Sequence, residues 1–205
     1  MPAGQHIRAD GNWFQMVDPL PGDAPRPTLF LDRDGTLIEQ VHHLDDPAGV
    51  RLIAGAAPAL AALRGAGWRI VLVTNQSGIG RDLFGWDAFA AVQAAMLERL
   101  AAAGATLDLV AACPFHPSHP WRKPAPGMLL AAAAALPVDM GRSRIVGDKA
   151  GDLAAGRAAG LPRGCLVATG YGPAERDAAR ALAAPCFRVD EWPSIAAAAV
   201  LAGSR

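Results

Sequence analysis

The sequence predicts an α/β fold: a mostly parallel central sheet with helices on both faces, three layers in all. Two observations carry this. From residue 28 onward, short β-rich runs alternate with helical stretches, the pattern of parallel strands joined by helical crossovers. Runs such as Ile70-Val71-Leu72-Val73 and Cys165-Leu166-Val167-Ala168 show no polar alternation, as expected of strands covered on both sides. A third observation locates the chemistry. Polar groups gather just after the runs, and open α/β sheets bind ligands beyond the C-terminal ends of their strands.

Taken in order, residues 1–27 hold five prolines and scattered glycine and read as an irregular N-terminal extension. Within it, Trp13-Phe14-Gln15-Met16-Val17 is a candidate short strand or a flap packed on the domain. The domain itself is placed at 28–205. Strands are predicted over 28–33, 69–74, 107–112, 143–147, 164–168 and 186–189. Helices are predicted over 56–66, 86–103, 126–136, 150–160, 173–183 and 193–202. Alanine-rich stretches at 131–135 and 196–199 suit helices and carry no functional signal.

The totals limit the possibilities. A chain of 205 residues with 52% hydrophobic content supports one sizeable core and one domain. Nineteen basic residues against 19 acidic ones leave no net charge, and so no basic field for nucleic acid. No apolar run approaches the roughly 20 residues of a membrane span, and no apolar signal core follows the polar start. Three widely spaced cysteines, Cys113, Cys165 and Cys186, fit a reducing compartment better than a disulfide framework. A soluble, cytoplasmic monomer is expected, without nucleic-acid or membrane partners.

The most informative segment is Leu29-Phe30-Leu31-Asp32-Arg33-Asp34-Gly35-Thr36. Asp32 and Asp34 are two residues apart, so both face one point beyond the strand end. Two anions so close repel unless a cation sits between them or one keeps its proton. Asp32 is the candidate nucleophile for a phosphorus centre, and Asp34 the candidate acid/base. Mg²⁺ would lower the repulsion between carboxylate and phosphate. Gly35 allows a sharp turn, and Thr36 can hold it.

Three further sets follow strands. Thr74-Asn75-Gln76-Ser77 offers a hydroxyl and loop amides to phosphate oxygens. Lys123 lies in the proline-stiffened run Arg122-Lys123-Pro124-Ala125-Pro126, where a cation could neutralise nucleophile and phosphoryl group together. Asp148 ends the run Arg144-Ile145-Val146-Gly147 and can complete an oxygen-rich metal shell. Asp152, four residues on, is read as a partner standing behind the metal ligands. An acid favoured near a helix N-terminus is the alternative. Lys149 could reach a substrate phosphate or pair with Asp152, and the sequence leaves both open.

Together, Asp32-Arg33-Asp34-Gly35-Thr36, Thr74-Asn75, Lys123 and Gly147-Asp148-Lys149 resemble the four motifs of the haloacid dehalogenase-like phosphatases. The resemblance runs from residue 28 to about 172. Phe30 to Leu37, Val73 to Arg81, Arg122 to Leu129 and Val146 to Lys149 are similar, more narrowly, to the D-glycero-D-manno-heptose 1,7-bisphosphate 7-phosphatase group. Histidinol-phosphate phosphatases share much of that pattern. The resemblance implies a Rossmann-like three-layer sandwich without a large cap, since Leu37 to Arg51 is too short to hold one. It implies a Mg²⁺-dependent sugar-phosphate phosphatase. Asp32 would be the nucleophile and Asp34 the acid/base, with Thr74 and Lys123 also catalytic. Asp32, the Asp34 carbonyl and Asp148 would be metal ligands. Gln40, Val41, His42, His43, Thr74, Asn75, Gln76, Ser77, Arg122, Lys123 and Lys149 would touch the substrate. The alternatives are a phosphatase for histidinol phosphate or another small phosphoester, and a catalytically idle phospho-ligand-binding member.

One segment departs from the group, which carries a zinc loop of the form Cys-x-His followed by Cys-x-Cys before Arg-Lys-Pro. Here the loop runs from Cys113 to Trp121, with Phe115 where the histidine should be and His119-Pro120-Trp121 in place of Cys-x-Cys. Cys113, His116 and His119 are the local candidate ligands, and a structural zinc needs four. A metal-free loop held by Phe115 and Trp121 packing is therefore expected. The loop borders the mouth, so it bears on substrate choice.

Overall fold

The computed structural model describes residues 6–203; residues 1–5 of the N-terminal extension lie outside the described part. The strands are β1 (Trp13–Met16), β2 (Thr28–Leu31), β3 (Arg69–Asn75), β4 (Leu109–Cys113), β5 (Arg144–Gly147), β6 (Arg163–Val167) and β7 (Arg188–Trp192). The α-helices are α1 (Ala56–Gly65), α2 (Trp86–Ala102), α3 (Gly127–Ala135), α4 (Ala150–Ala158) and α5 (Gly172–Arg180). Each predicted strand and helix has a counterpart, with one change of type at the C-terminus. Ile195–Gly203 winds as a 3₁₀ helix and packs against α1.

The seven strands form one sheet in the order β1-β4-β3-β2-β5-β6-β7. All pairings are parallel except that of β1, which runs antiparallel to β4 with Trp13 opposite Ala112 and Met16 opposite Leu109. Strand order reverses at β2, which has β3 on one side and β5 on the other. That reversal opens a crevice at the C-terminal edge.

Side-chain alternation divides the core between the two faces. Leu29, Leu31, Ile70, Leu72, Val110, Ala112 and Val146 pack with Leu60, Leu63, Phe89, Val92 and Met96 of α1 and α2. Phe30, Val71, Val73, Leu109, Ala111 and Ile145 pack with Met128, Leu129, Ala132 and Ala155 of α3 and α4. This two-sided burial is why the strands read as unbroken apolar runs. Trp13 is buried against Trp86 and Phe89, with ring centroids 5.5 and 5.1 Å away. Thus the extension supplies the sheet with an edge strand and the first core with an anchor.

At the opposite, N-terminal edge of the sheet, buried Asp108 gathers four groups. It accepts from the backbone N–H of Leu20 and of Ile70, each at 2.8 Å, and pairs with Arg64 at 2.6 Å and Arg69 at 3.1 Å. Arg69 also donates to the carbonyls of Leu20 and Gly22. The extension is therefore tied down twice, by β1 and by this ionic knot. Between Thr36 and Gly55 the chain forms only the short 3₁₀ turn Pro47–Gly49 and the bridges of Ile38 to Asp34 and Leu52.

Candidate active site

β2 ends at Leu31, paired with Leu72 and Val146 on its two sides. The Asp32 N–H continues the ladder by donating to the Val146 carbonyl at 3.0 Å. This holds the Asp32 carboxylate over the crevice. Asp148 follows β5, the other strand at the reversal point. One carboxylate oxygen from each of Asp32, Asp148 and Asp152 lies within 4.8 Å of the others, and all three residues are buried.

Lys123 sits inside this acidic cluster. Its ammonium contacts Asp32 Oδ1 at 2.6 Å, Asp152 Oδ1 at 2.6 Å and the Val73 carbonyl at 2.7 Å. An ammonium has three protons, so all are placed. Burial works against the Lys123 charge, but Asp152 and Asp32 outweigh it and hold its pKa above the usual value. Burial pushes the Asp32 carboxyl up to about 7; Lys123 opposes that rise, and Asp152, Asp148 and Asp34 add to it. Asp148 is pushed up to about 6 by burial, against a backbone hydrogen bond from Tyr171 and with the nearby Asp152 charge adding to the rise.

Each carboxylate is held by the loops. Asp152 Oδ2 accepts the Lys149 N–H at 3.0 Å, the reach-back half of a capping box at the start of α4. Asp148 Oδ2 accepts the Tyr171 N–H at 2.8 Å. Gly35 and Gly170, both at positive φ, press on that same oxygen, and a Cβ on either would collide with it. Thr169 Oγ1 closes the contact by donating to the Gly35 carbonyl at 2.6 Å. Asp148 Oδ1, by contrast, is buried with no hydrogen-bond partner. An orphaned carboxylate oxygen among clustered carboxylates is a donor set that suits a hard cation such as Mg²⁺. The residues present therefore fit the metal that the sequence implies.

Above the cluster lies a cavity of about 380 Å³. Its walls include Asp32, Asp34, Gln40, Val41, His42, His43, Thr74, Asn75, Gln76, Ser77, Arg122, Lys123, Lys149 and Asp152, so the catalytic and substrate-contact candidates chosen from sequence share one opening, while fully buried Asp148 is not among its walls. Several are engaged within the protein. The Asn75 side chain clamps the Lys123 backbone, donating to its carbonyl and accepting its N–H, each at 3.0 Å. Gln76 Nε2 donates to Asp34 Oδ2 and to Thr74 Oγ1, both at 2.9 Å. The Lys149 ammonium lies 4.4 Å from the Tyr171 ring centroid, while the Asp152 side chain pairs with Lys123. His42 and His43 meet at 4.1 Å between ring centroids, with His43 in the left-handed region at φ 52°.

Sequence reasoning missed Arg33, Tyr171 and Glu175, which also line the cavity. Tyr171 and Glu175 follow β6, whose trailing loop obeys the same positional rule as the four loops chosen. Arg33 was hidden by its place between two more conspicuous aspartates.

In the Cys113 to Trp121 loop, Cys113 Sγ and His119 Nδ1 are 3.9 Å apart. His119 Nδ1 also accepts the Trp121 N–H at 3.2 Å, and its ring stacks on Phe115 at 4.3 Å. His116 is turned away, with its Nε2 2.7 Å from Arg81 Nη2. Trp121 packs edge-on to Phe14, and Arg8 lies over it. The loop thus leans on β1 and the residues before it.

Comparison with known proteins identifies the family of the chain. The HAD-hydrolase-like family description matches residues 120–191. A D-glycero-beta-D-manno-heptose-1,7-bisphosphate 7-phosphatase of Mesorhizobium japonicum is 45% identical over 166 residues, which span 77% of this chain and 76% of that protein. A Burkholderia mallei relative named for the alpha anomer is 39% identical, over 74% of this chain and 82% of its own length. Among solved structures, the D,D-heptose 1,7-bisphosphate phosphatase of B. bronchiseptica, complexed with magnesium and phosphate, superposes with a TM-score of 0.76 at 33% identity. That alignment covers 85% of this chain and 97% of the other. A HAD-like protein from Mesorhizobium loti gives a TM-score of 0.83 at 37% identity, over 98% and 99% of the two chains. The chain belongs to the haloacid dehalogenase-like phosphatases, among relatives of the heptose-1,7-bisphosphate 7-phosphatases, and is a phosphoric monoester hydrolase.

Proposed function

We propose that this phosphatase removes the 7-phosphate of a D-glycero-D-manno-heptose 1,7-bisphosphate through an aspartyl-phosphate on Asp32, with Mg²⁺ as cofactor. The observation that carries the proposal is the arrangement at the strand reversal. Asp32 is paired with a buried ammonium, beside an orphaned Asp148 oxygen, under a polar cavity. An Asp32 oxygen bonds to phosphorus as the bond from phosphorus to the sugar oxygen breaks. Asp34 gives its proton to the departing oxygen. It then takes one from the water that releases inorganic phosphate and restores Asp32. Lys123 and Thr74 hold the transferring group, and Lys123 offsets the charge that gathers there. Asp32, the Asp34 carbonyl and Asp148 would hold Mg²⁺, which when bound screens the anionic nucleophile from the anionic phosphate. Gln40 to His43, Ser77, Arg122 and Lys149 face the sugar and its second phosphate.

The domain is taken as residues 28–205 with 1–27 as its extension, working as a monomer in the cytoplasm. The Cys113 to Trp121 loop is taken to function without zinc. The test is a substrate panel with and without EDTA, using both heptose bisphosphate anomers, histidinol phosphate and an aryl phosphate. Heptose bisphosphate should be cleaved fastest, only with Mg²⁺, and Asp32→Asn should abolish turnover. Equal rates across the panel would overturn the substrate, turnover by Asp32→Asn the mechanism, and stoichiometric zinc in purified protein the reading of the loop.

A further inference from the structure

We propose that Arg8 and Phe14 of the N-terminal extension are positioning residues: they brace the loop that carries Arg122, and so aim its guanidinium at the second phosphate of the substrate. The proposal rests on the reading of Arg122 as a contact for that phosphate. Arg122 lines the cavity, and its Nη1 donates to the Phe115 carbonyl at 3.1 Å. The guanidinium is thus tethered to a carbonyl rather than to a carboxylate, which leaves its charge to an anion in the opening. Its backbone N–H donates to the His119 carbonyl at 2.9 Å. Both bonds reach back into the Cys113 to Trp121 loop, so Arg122 stands only where that loop stands.

The loop is braced from outside by the extension. Trp121 is buried and meets Phe14 edge-on, with ring centroids 6.0 Å apart. The Arg8 guanidinium lies over both rings, 4.9 Å from the Trp121 centroid and 5.7 Å from that of Phe14. Asp10 holds Arg8 there, accepting from its Nε at 3.1 Å and from the Asn12 N–H at 3.1 Å. Gly11, at φ 79°, lies so close to the Phe115 ring that a Cβ would stand 3.0 Å from its Cζ. Phe14 itself is fixed by the β1 pairing, opposite Ala111 of β4. Lys123, one residue beyond Arg122, is held independently. The Asn75 side chain clamps its backbone, and Asp32, Asp152 and the Val73 carbonyl hold its ammonium. Loosening the extension should therefore displace Arg122 while the lysine at the reacting phosphate stays in place.

The two phosphates of the substrate make this testable. Heptose 1,7-bisphosphate engages both Lys123 and Arg122, whereas heptose 7-phosphate offers nothing for Arg122 to bind. Arg8→Ala, Phe14→Leu and Arg122→Met are measured with Mg²⁺ on both esters. Arg122→Met should lose about 10- to 100-fold more kcat/KM on the bisphosphate than on the monophosphate, the range for hydrogen bonds to a charged group. Arg8→Ala and Phe14→Leu should lose about 2- to 10-fold in the same direction, the range for one cation–π or aromatic contact. Their loss should fall on KM, with kcat unchanged. Neither should add a selective loss in an Arg122→Met background; a further one there would show a path other than Arg122 and overturn the proposal. Equal losses on both esters, or none on either, would mean that the extension serves stability alone and would overturn it too. If Arg122→Met is itself unselective, the reading of Arg122 fails and the proposal with it. If it is selective while the extension variants are not, only the present proposal fails. The Arg8 side chain is 46% exposed, so Arg8→Ala gives the same comparison should Phe14→Leu not fold.

Discussion

Lys123 shows how one residue serves both stability and chemistry. Its ammonium stands between Asp32 and Asp152, all three groups buried. Removing one partner of such a cluster leaves charge with no counter-ion, typically at about 3–5 kcal/mol. Lys123→Met should therefore lower unfolding free energy by about that much in urea titrations at pH 8. The loss should shrink near pH 5, where carboxylates left without the lysine hold their protons and need no cation. A pH-independent loss would mean that packing, not charge, is what Lys123 supplies. Each isolated residue here was legible by its type and place after a strand. Its partners were not, because the hydrogen bonds by which the Asn75 side chain holds the Lys123 backbone and the Gln76 side chain holds Asp34 and Thr74 join loops far apart in the sequence.

At the level of elements, the apolar runs are strands because both faces of the sheet are covered. The crevice lies where β2 meets β5, so Asp32 and Asp148 come from adjacent strands 116 positions apart in the chain. That pairing order cannot be read from periodicity, which reports burial but not neighbours. Neither could the fate of residues 13–17 be chosen between strand and flap without knowing that β4 offers a free edge. The type of the last helix was also beyond reach, because an alanine-rich apolar stretch satisfies either winding. The Asp108 knot gives a test confined to elements away from the site. Asp108→Ala should cost about 3–5 kcal/mol by stranding Arg69. It should leave kcat unchanged, because the knot lies a strand length, roughly 17 Å, from the crevice. A large fall in kcat in a still-folded variant would show that the two ends of the sheet are coupled.

For the whole molecule, the acidic cluster sets a dependence of stability on pH and metal. Asp32 and Asp148 have folded pKa values raised to about 7 and about 6, against roughly 3.9 for an unfolded aspartate. For raised carboxylates, stability is full below the unfolded value and is lost as pH rises through the folded ones. The metal-free protein should therefore weaken between about pH 4 and pH 7. A cation that needs the ionised carboxylates should restore most where they are ionised. Thermal melts with EDTA or Mg²⁺ should show a larger Mg²⁺-induced rise at pH 8 than at pH 5.5, and little rise at either pH in Asp32→Asn. No helix among the described residues is long and apolar enough to cross a membrane.

The antiparallel pairing of β1 has a practical consequence for anyone cutting the gene. All five residues of β4 are buried, and β1 covers their outer edge. A fragment begun at Thr28, where the recognisable motifs start, would keep every residue proposed for catalysis yet leave that edge bare. Bare apolar edges recruit strands from other molecules. Such a fragment should aggregate on expression, while one retaining the stretch from His6 should stay dispersed.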